Sequence, residues 1–184
     1  MDKMDIVYII LAVLLVIIIV ILALYNRLVR LQNKVKRAKA NIEIILNKRF
    51  DLIPNIVECV KGYSKHESST LKDIVSLRNE YNNQKNMNIH KAQEMNDNLT
   101  KYLAIIENYP NLKANEEFMS LQQKLTRIED ELEYERKRYN SDVTNYNIAI
   151  ESVPSNIVAS MFAFKKSELF QIEAEKRENI NVKL

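Results

Sequence analysis

The chain has 184 residues, 47% hydrophobic and 28% charged, with one Gly, three Pro and no Trp. Average usage is about 7% Gly. Tight turns, hairpins and phosphate loops draw on the positive φ that Gly adopts freely, so the composition argues against β-sandwiches, Rossmann domains and P-loop enzymes and for an all-α protein with few turns. The net charge of +3 is uneven: residues 27–49 hold eight basic side chains against Glu43 alone, so the positive charge is local and makes no case for nucleic-acid binding.

Residues 6–24 are drawn only from Ile, Leu, Val, Ala and Tyr, from Ile6 and Val7 through Leu15 and Ile19 to Leu24. As a helix this run is about 29 Å long, close to the ~30 Å hydrocarbon core of a bilayer. A cleaved signal peptide wants a basic start and a small-residue cleavage site, whereas Asp2 and Asp5 outweigh Lys3 here and the run exits into bulky Leu24-Tyr25-Asn26-Arg27. An uncleaved transmembrane helix over residues 6–25 is the expectation. Arg27, Arg30, Lys34, Lys36, Arg37 and Lys39 follow it, against Lys3 before it. The positive-inside rule then puts residues 1–5 outside and the rest in the cytoplasm. The same six cations could also touch anionic lipid headgroups. A lone Cys59 agrees with a reducing compartment.

Beyond the span the apolar pattern narrows to one seam: Leu28, Leu31, Val35, Ala38, Ile42, Ile45, Arg49, Leu52, Ile56 and Val60 alternate steps of three and four, as in a coiled coil. Pro54 should kink this helix or free the Phe50 carbonyl. Gly62 and a polar run end it. A second helix is expected over residues 70–108 through Leu71, Ile74, Arg78, Tyr81, Lys85, Ile89, Ala92, Met95, Leu99, Tyr102 and Ile106, weakest across Asn82–Asn88. Tyr109-Pro110-Asn111 closes it. Asn115 should cap a third helix over residues 116–152, with Glu116 and Glu117 suiting its dipole. Pro154 ends that helix, and Ser155 or Asn156 should cap a fourth of about 18 residues carrying Val158, Met161, Phe162, Phe164 and Phe170. The expected architecture is therefore a transmembrane helix continuing into a long antiparallel bundle of three long helices and a shorter fourth, occupying residues 26–175, with a polar tail at 176–184. The short fourth helix should leave apolar side chains near Leu31, Val35, Leu103, Ile106 and Phe118 partly uncovered.

Catalytic signatures are sparse. His66-Glu67 fails the H-E-x-x-H pattern because Thr70 stands at the second His position, and His90 is the one other His. Glu129, Asp130, Glu131, Glu133 and Glu135 are spread around a helix and read as a solvated acidic face. Cys59 reads as a small core residue. The aromatic set from Tyr102 to Phe170 reads as core packing before a partner groove. No enzyme activity, cofactor, metal or small-molecule substrate is expected. Arg49 is the charged member of an apolar stripe and needs a facing carboxylate. If the first and third helices start at one level, Glu135 is at the matching height, with Glu131 and Asp142 as alternatives, and an Arg49–Glu135 pair would set the bundle register.

Three ordered blocks resemble the LemA family. The first is Arg49-Phe50-Asp51-Leu52-Ile53-Pro54-Asn55-Ile56-Val57-Glu58 with Val60-Lys61-Gly62-Tyr63 and His66-Glu67. The second is Tyr109-Pro110-Asn111-Leu112-Lys113-Ala114-Asn115 with Phe118 and Leu121-Gln122. The third is Glu129, Arg136, Tyr139-Asn140, Val143, Tyr146-Asn147 and Pro154-Ser155-Asn156. The resemblance implies a single-pass protein of the bacterial cell membrane, N-terminus outside, with a cytoplasmic antiparallel helical bundle, and implies no activity. A membrane-anchored scaffold or adaptor is the function expected, its partners the lipid bilayer and either other proteins or further copies of itself. An anionic-lipid surface binder is the alternative, and an accessory subunit of a membrane enzyme a remote one.

Overall fold

In the computed structural model, residues 3–61, 68–83, 89–106, 112 and 114–170 are described, and every regular element among them is a helix. The first, α1 (Lys3–Phe50), runs unbroken for 48 residues. Its first part, from Ile6 through Val20, is apolar and faces outward, and the helix is long and apolar enough to cross a membrane. From Leu28 onward one stripe turns inward. Leu28, Val35, Ala38, Ile42, Ile45 and Arg49 are buried, and the stripe resumes at Ile56 and Val60 in α2 (Ile53–Lys61). The heptad-like spacing put these side chains on one face, and that face carries the core. The helix breaks at Asp51–Leu52, where the Leu52 N–H turns back to the Arg49 carbonyl at 3.2 Å. Pro54 then falls in the first turn of α2, where a missing N–H costs nothing.

The helix expected over residues 70–108 is two helices, α3 (Ser68–Asn83) and α4 (Ile89–Ile106), which pack on each other. Lys91 at the start of α4 pairs with Glu80 near the end of α3 at 3.2 Å, so the two run antiparallel. α3 ends and α4 begins on either side of the stretch that is weakest in apolar periodicity, and residues 84–88 lie outside the described residues. Splitting the helix also moves its seam. Leu77 and Leu103 are buried where Arg78 and Tyr102 were expected, and both of those are half-buried.

The long helix α5 (Glu116–Glu151) begins as expected, with Asn115 Oδ1 accepting from the Phe118 N–H at 2.8 Å. Its buried stripe runs Phe118, Leu121, Leu125, Leu132, Tyr139, Val143, Tyr146 and Ala149. The fourth helix is much shorter than expected. α6 spans Ser155–Met161, and the chain from residue 164 to 170 is not helical. Ser155 does not cap it: its hydroxyl donates to the Ala149 carbonyl at 2.6 Å, with the Ser152 carbonyl 2.9 Å away, and so serves the end of α5.

Two compact units make up the described chain. One holds α1 to Ala38, α5 from Arg138, α6 and the segment to Leu169; the other holds residues 39–137 with Phe170. In the first, Gln32 meets Tyr146 and Leu28 clusters with Ala149, Val158 and Ala159, so α1 and α5 are antiparallel there. In the second, four helices pack in alternating directions: α1 with α2, then α3, α4 and the first part of α5. Leu103, Ile106 and Phe118 are buried within this second unit and Val35 in the first, so of the five side chains expected to be partly uncovered Leu31 alone is half-buried. In the second unit the α3–α4 hairpin supplies a helix that the three-long-helix reading lacked. The tail over residues 171–184 and the His66-Glu67 pair lie outside the described residues.

Candidate functional site: a buried arginine layer

In the four-helix unit, the most polar part of the interior is built around Arg49, which is 3% exposed. The seam of α1 carries it inward in the last turn before the helix breaks. Its Nη1 donates to Glu129 on α5 and to the Asn96 amide oxygen on α4, both very closely, and Nη2 donates to Thr100 Oγ1 at 3.1 Å. Asn96 is itself buried, and Thr100, one turn further along α4, turns its hydroxyl to the Asn96 carbonyl at 3.0 Å. Glu129 is shared: its second oxygen is 3.5 Å from Arg136 Nη1, two turns along the same helix. Arg136 in turn lays its guanidinium over the Phe170 ring, 4.7 Å from the centroid. Burial lowers the pKa of both arginines; Glu129 and Asp97 oppose this for each, while Arg136 adds to the lowering for Arg49. Both remain cations at physiological pH.

Two cations share one carboxylate, with an amide, a hydroxyl and the nearby charge of Asp97 offsetting the rest, and the Thr100 hydroxyl and Glu129 carboxylate are both engaged by Arg49. The chemistry of this layer is register: three helices are tied at one level by hydrogen bonds that a slip of one turn would break.

The expected partner of Arg49 was Glu135, and the structure corrects this. Glu129 faces Arg49, Glu131 pairs with Lys48 at 3.6 Å, and Glu135 accepts from Asn41 Nδ2 at 3.1 Å. Height was matched on the premise that both helices start near the membrane. α5 runs opposite to α1 in this unit, so a residue higher on α1 meets one lower on α5. Asn96, Thr100 and Arg136 were not singled out as partners. The available signal was that Arg49, Glu129 and Arg136 all stand in the blocks carrying the family resemblance. The acidic run Glu129–Glu135 is likewise not one site, since Glu129 pairs with Arg49, Glu131 with Lys48 and Glu133 with Lys137, while Glu135 accepts from Asn41. Among the described residues no three His, Cys, Asp or Glu side chains converge as metal ligands.

Other motif residues hold the segment after α6. Tyr146 donates to the Lys165 carbonyl at 3.0 Å and Tyr139 to the Glu168 carbonyl at 2.9 Å. Between them, Asn147 both donates to the Ser167 carbonyl (2.9 Å) and accepts from the Ser167 N–H (3.0 Å). Tyr139 and Tyr146 are about 10 Å apart along the helix, a distance three residues cover only when extended. The segment is therefore an extended strap running back along α5.

Ile6, Val7, Leu15 and Ile19 are exposed on the outward apolar part of α1, and Leu24 is half-buried at its end. Arg27, Arg30, Lys34, Lys36 and Arg37 are exposed and Lys39 half-buried, paired with Glu43. Arg27, Arg30, Lys34 and Arg37 follow helical spacing and share one face of α1. In the four-helix unit an open cleft of about 680 Å³ lies between α2 and the start of α5, lined by Asn55, Glu58, Cys59, Asn115, Glu117 and Lys124 among others. Burial first, then Glu117 and Glu58, push the Cys59 thiol above its ordinary pKa, so it is a poor nucleophile.

The LemA family model matches residues 38–184. The chain belongs to the LemA family. Protein LemA of Metamycoplasma hominis is 24% identical over 162 residues, covering 85% of this chain and 73% of that one. Magnetosome protein MamQ 2 of Paramagnetospirillum magneticum is 23% identical over 175 residues, covering 80% of this chain, and MamQ of Magnetospirillum gryphiswaldense is 22% identical over 174. This LemA-family chain spans 64% of the length of each magnetosome relative. Neither the family nor these relatives are named as enzymes, and with the apolar helix they make this a membrane-associated LemA/MamQ-type protein.

Proposed function

We propose that this LemA-family protein is a membrane-anchored scaffold or adaptor that offers helical surfaces to protein partners or to further copies of itself at the inner face of the bacterial cell membrane. The observation that carries the reading is the continuity of α1, whose apolar part and bundle stripe belong to one unbroken 48-residue helix. In the first unit no loop separates the apolar run from the inward stripe of α1, and in the four-helix unit the arginine layer ties its own helices in register. The arrangement suits presentation of a surface better than turnover of a substrate. The orientation follows from six basic residues after the apolar run against one before it. A reporter fused after Leu184 should be active only if it works in the cytoplasm, and activity of a periplasm-dependent reporter would reverse the orientation.

The test of function is cross-linked co-purification from detergent, comparing the wild type with Glu58→Lys/Glu117→Lys in the cleft beside α2. A defined set of proteins, or the chain itself, that is retained by the wild type and depleted by the variant supports the adaptor. Recovery of lipid alone argues against it. A second reading rests on the exposed face of Arg27, Arg30, Lys34 and Arg37, which suits anionic headgroups at ~1 kcal/mol per residue near the surface. It requires salt-sensitive binding of a fragment lacking the apolar run to anionic vesicles, lost when these four are changed to Gln.

A further inference from the structure

The corner between α5 and α6 exposes a group of large apolar side chains. Val153 is 80% exposed, Ile157 59%, Met161 65% and Phe162 50%. Ile157 and Met161 are one turn apart on α6 and share its outer face, while Val158 and Ala159 on the inner face are buried. From Ser152 to Phe164 there is no charged residue. Charges resume at both edges: Glu151 pairs with Lys166, Lys165 is exposed, and Arg27 and Arg30 stand exposed on α1.

The level of this corner is set by what its inner face touches. Val158 and Ala159 cluster with Leu28 and Ala149, and Ile21, Leu24 and Tyr25 of α1 pack against that cluster. Ile21 and Leu24 belong to the last turn of the apolar run. Tyr25 is packed against Phe162 (centroids 4.7 Å) and Phe164 (5.8 Å, edge-on). A group of aromatic rings where an apolar helix gives way to arginines is the chemistry of the headgroup boundary. Seven residues are too few to cross a membrane, whereas an element with one apolar face beside a basic rim lies in its surface.

We propose that α6 with its flanks, residues 153–162, is an interfacial membrane element, its Val153, Ile157, Met161 and Phe162 side chains seated among the lipids of the leaflet that α1 leaves at Tyr25. The proposal rests on α1 crossing the membrane. It adds that the bundle touches the bilayer at a second place, so that the leaflet grips both α1 and the α5–α6 corner and holds this unit against the surface.

The experiment uses the full chain in phosphatidylcholine–phosphatidylglycerol vesicles, with Cys59→Ser as background and single spin labels at Ile157→Cys, Met161→Cys, Leu15→Cys and Thr144→Cys. Collision with oxygen reports lipid, and collision with a water-soluble nickel chelate reports water. Leu15 is the marker for the span and Thr144, exposed on α5, the marker for water. Labels at 157 and 161 should favour oxygen over nickel at a depth of about 5–10 Å below the phosphates, between the two markers. Nickel collisions at 157 and 161 equal to those at 144, with Leu15 deep, overturn the interfacial element and leave the anchor standing. Shielding of both labels from both reagents means protein cover and overturns it also. A water-accessible Leu15 removes the span itself, and the proposal falls with it.

Discussion

Arg49 shows how one buried cation organises its surroundings. Its guanidinium is out of water and two of its nitrogens are used by partners on two other helices, so removing Glu129 leaves charge without compensation. Fully buried pairs cost ~3–5 kcal/mol to break. The Glu129 side chain remains 40% exposed, so Glu129→Gln should cost less, about 1.5–3 kcal/mol, in urea melts. Glu135→Gln should cost under about 1.5 kcal/mol, the scale of a single hydrogen bond. A cycle pairing Arg49→Met with each tests the assignment: coupling should appear with Glu129 and be near zero with Glu135. Tyr81 gives a second residue-scale expectation. It stacks on Phe50 with centroids 4.1 Å apart and donates to the Glu43 carbonyl at 3.3 Å. Burial first, then Glu43 and Asp51, push its phenol up to about 12. A raised phenol pKa means that stability from the neutral form is complete below the ordinary value near 10 and is lost as the pH climbs toward 12. Stability should thus fall between about pH 10 and 12, and Tyr81→Phe should shrink that fall while costing about 1 kcal/mol at neutral pH.

At the scale of elements, the end of α6 carries a conflict between sequence and backbone. The Ala163 N–H returns to the Ser160 carbonyl and the Phe164 N–H to the Ala159 carbonyl, the paired bonds of a Schellman end, with Ala163 at φ 53°. This position favours Gly, yet the single Gly of the chain is Gly62. Ala163→Gly should therefore stabilise the protein by roughly 1 kcal/mol, read as a raised denaturant midpoint at unchanged slope. The strap beyond it is held by side chains and not by helix bonds, so Asn147→Ala, which removes two bonds, should cost about 1–3 kcal/mol and speed amide exchange at Ser167. Asn115→Ala, which removes the cap of α5, should cost about 1 kcal/mol.

At the scale of the molecule, the two units draw on different parts of α1. The first uses Ile21, Leu24 and Tyr25 as cover for its core, whereas the second begins at Lys39. A fragment starting at Arg27 should keep the four-helix unit intact and lose protection in α6 and the strap, where Phe162 and Phe164 no longer have Tyr25 to pack on. Amide exchange by mass spectrometry separates the two responses; equal loss in both units would contradict the division. The same packing means that a soluble fragment is a poor surrogate for α6 and the strap, and assays of that corner belong to the full chain.

How much of this was legible in the sequence depends on the range of the force involved. The apolar run of α1, the stripe from Leu28 to Val60, the break near Pro54, the cap at Asn115 and the stripe of α5 are local matters. Each follows from spacing, a missing N–H or a side chain reaching its own backbone, and each was readable from a few neighbouring residues. The partner of Arg49 was not, because it depends on the direction in which α5 passes α1, and periodicity is the same in both directions. That residues 70–108 hold two antiparallel helices was not readable either, because it depends on Glu80 of α3 meeting Lys91 of α4 in space. The strap replaced a helix because Tyr139, Tyr146 and Asn147, distant in sequence, took over hydrogen bonds that a helix would have made within itself. Side chains that bind backbone across twenty residues leave no periodic trace, so tertiary structure alone decided that segment.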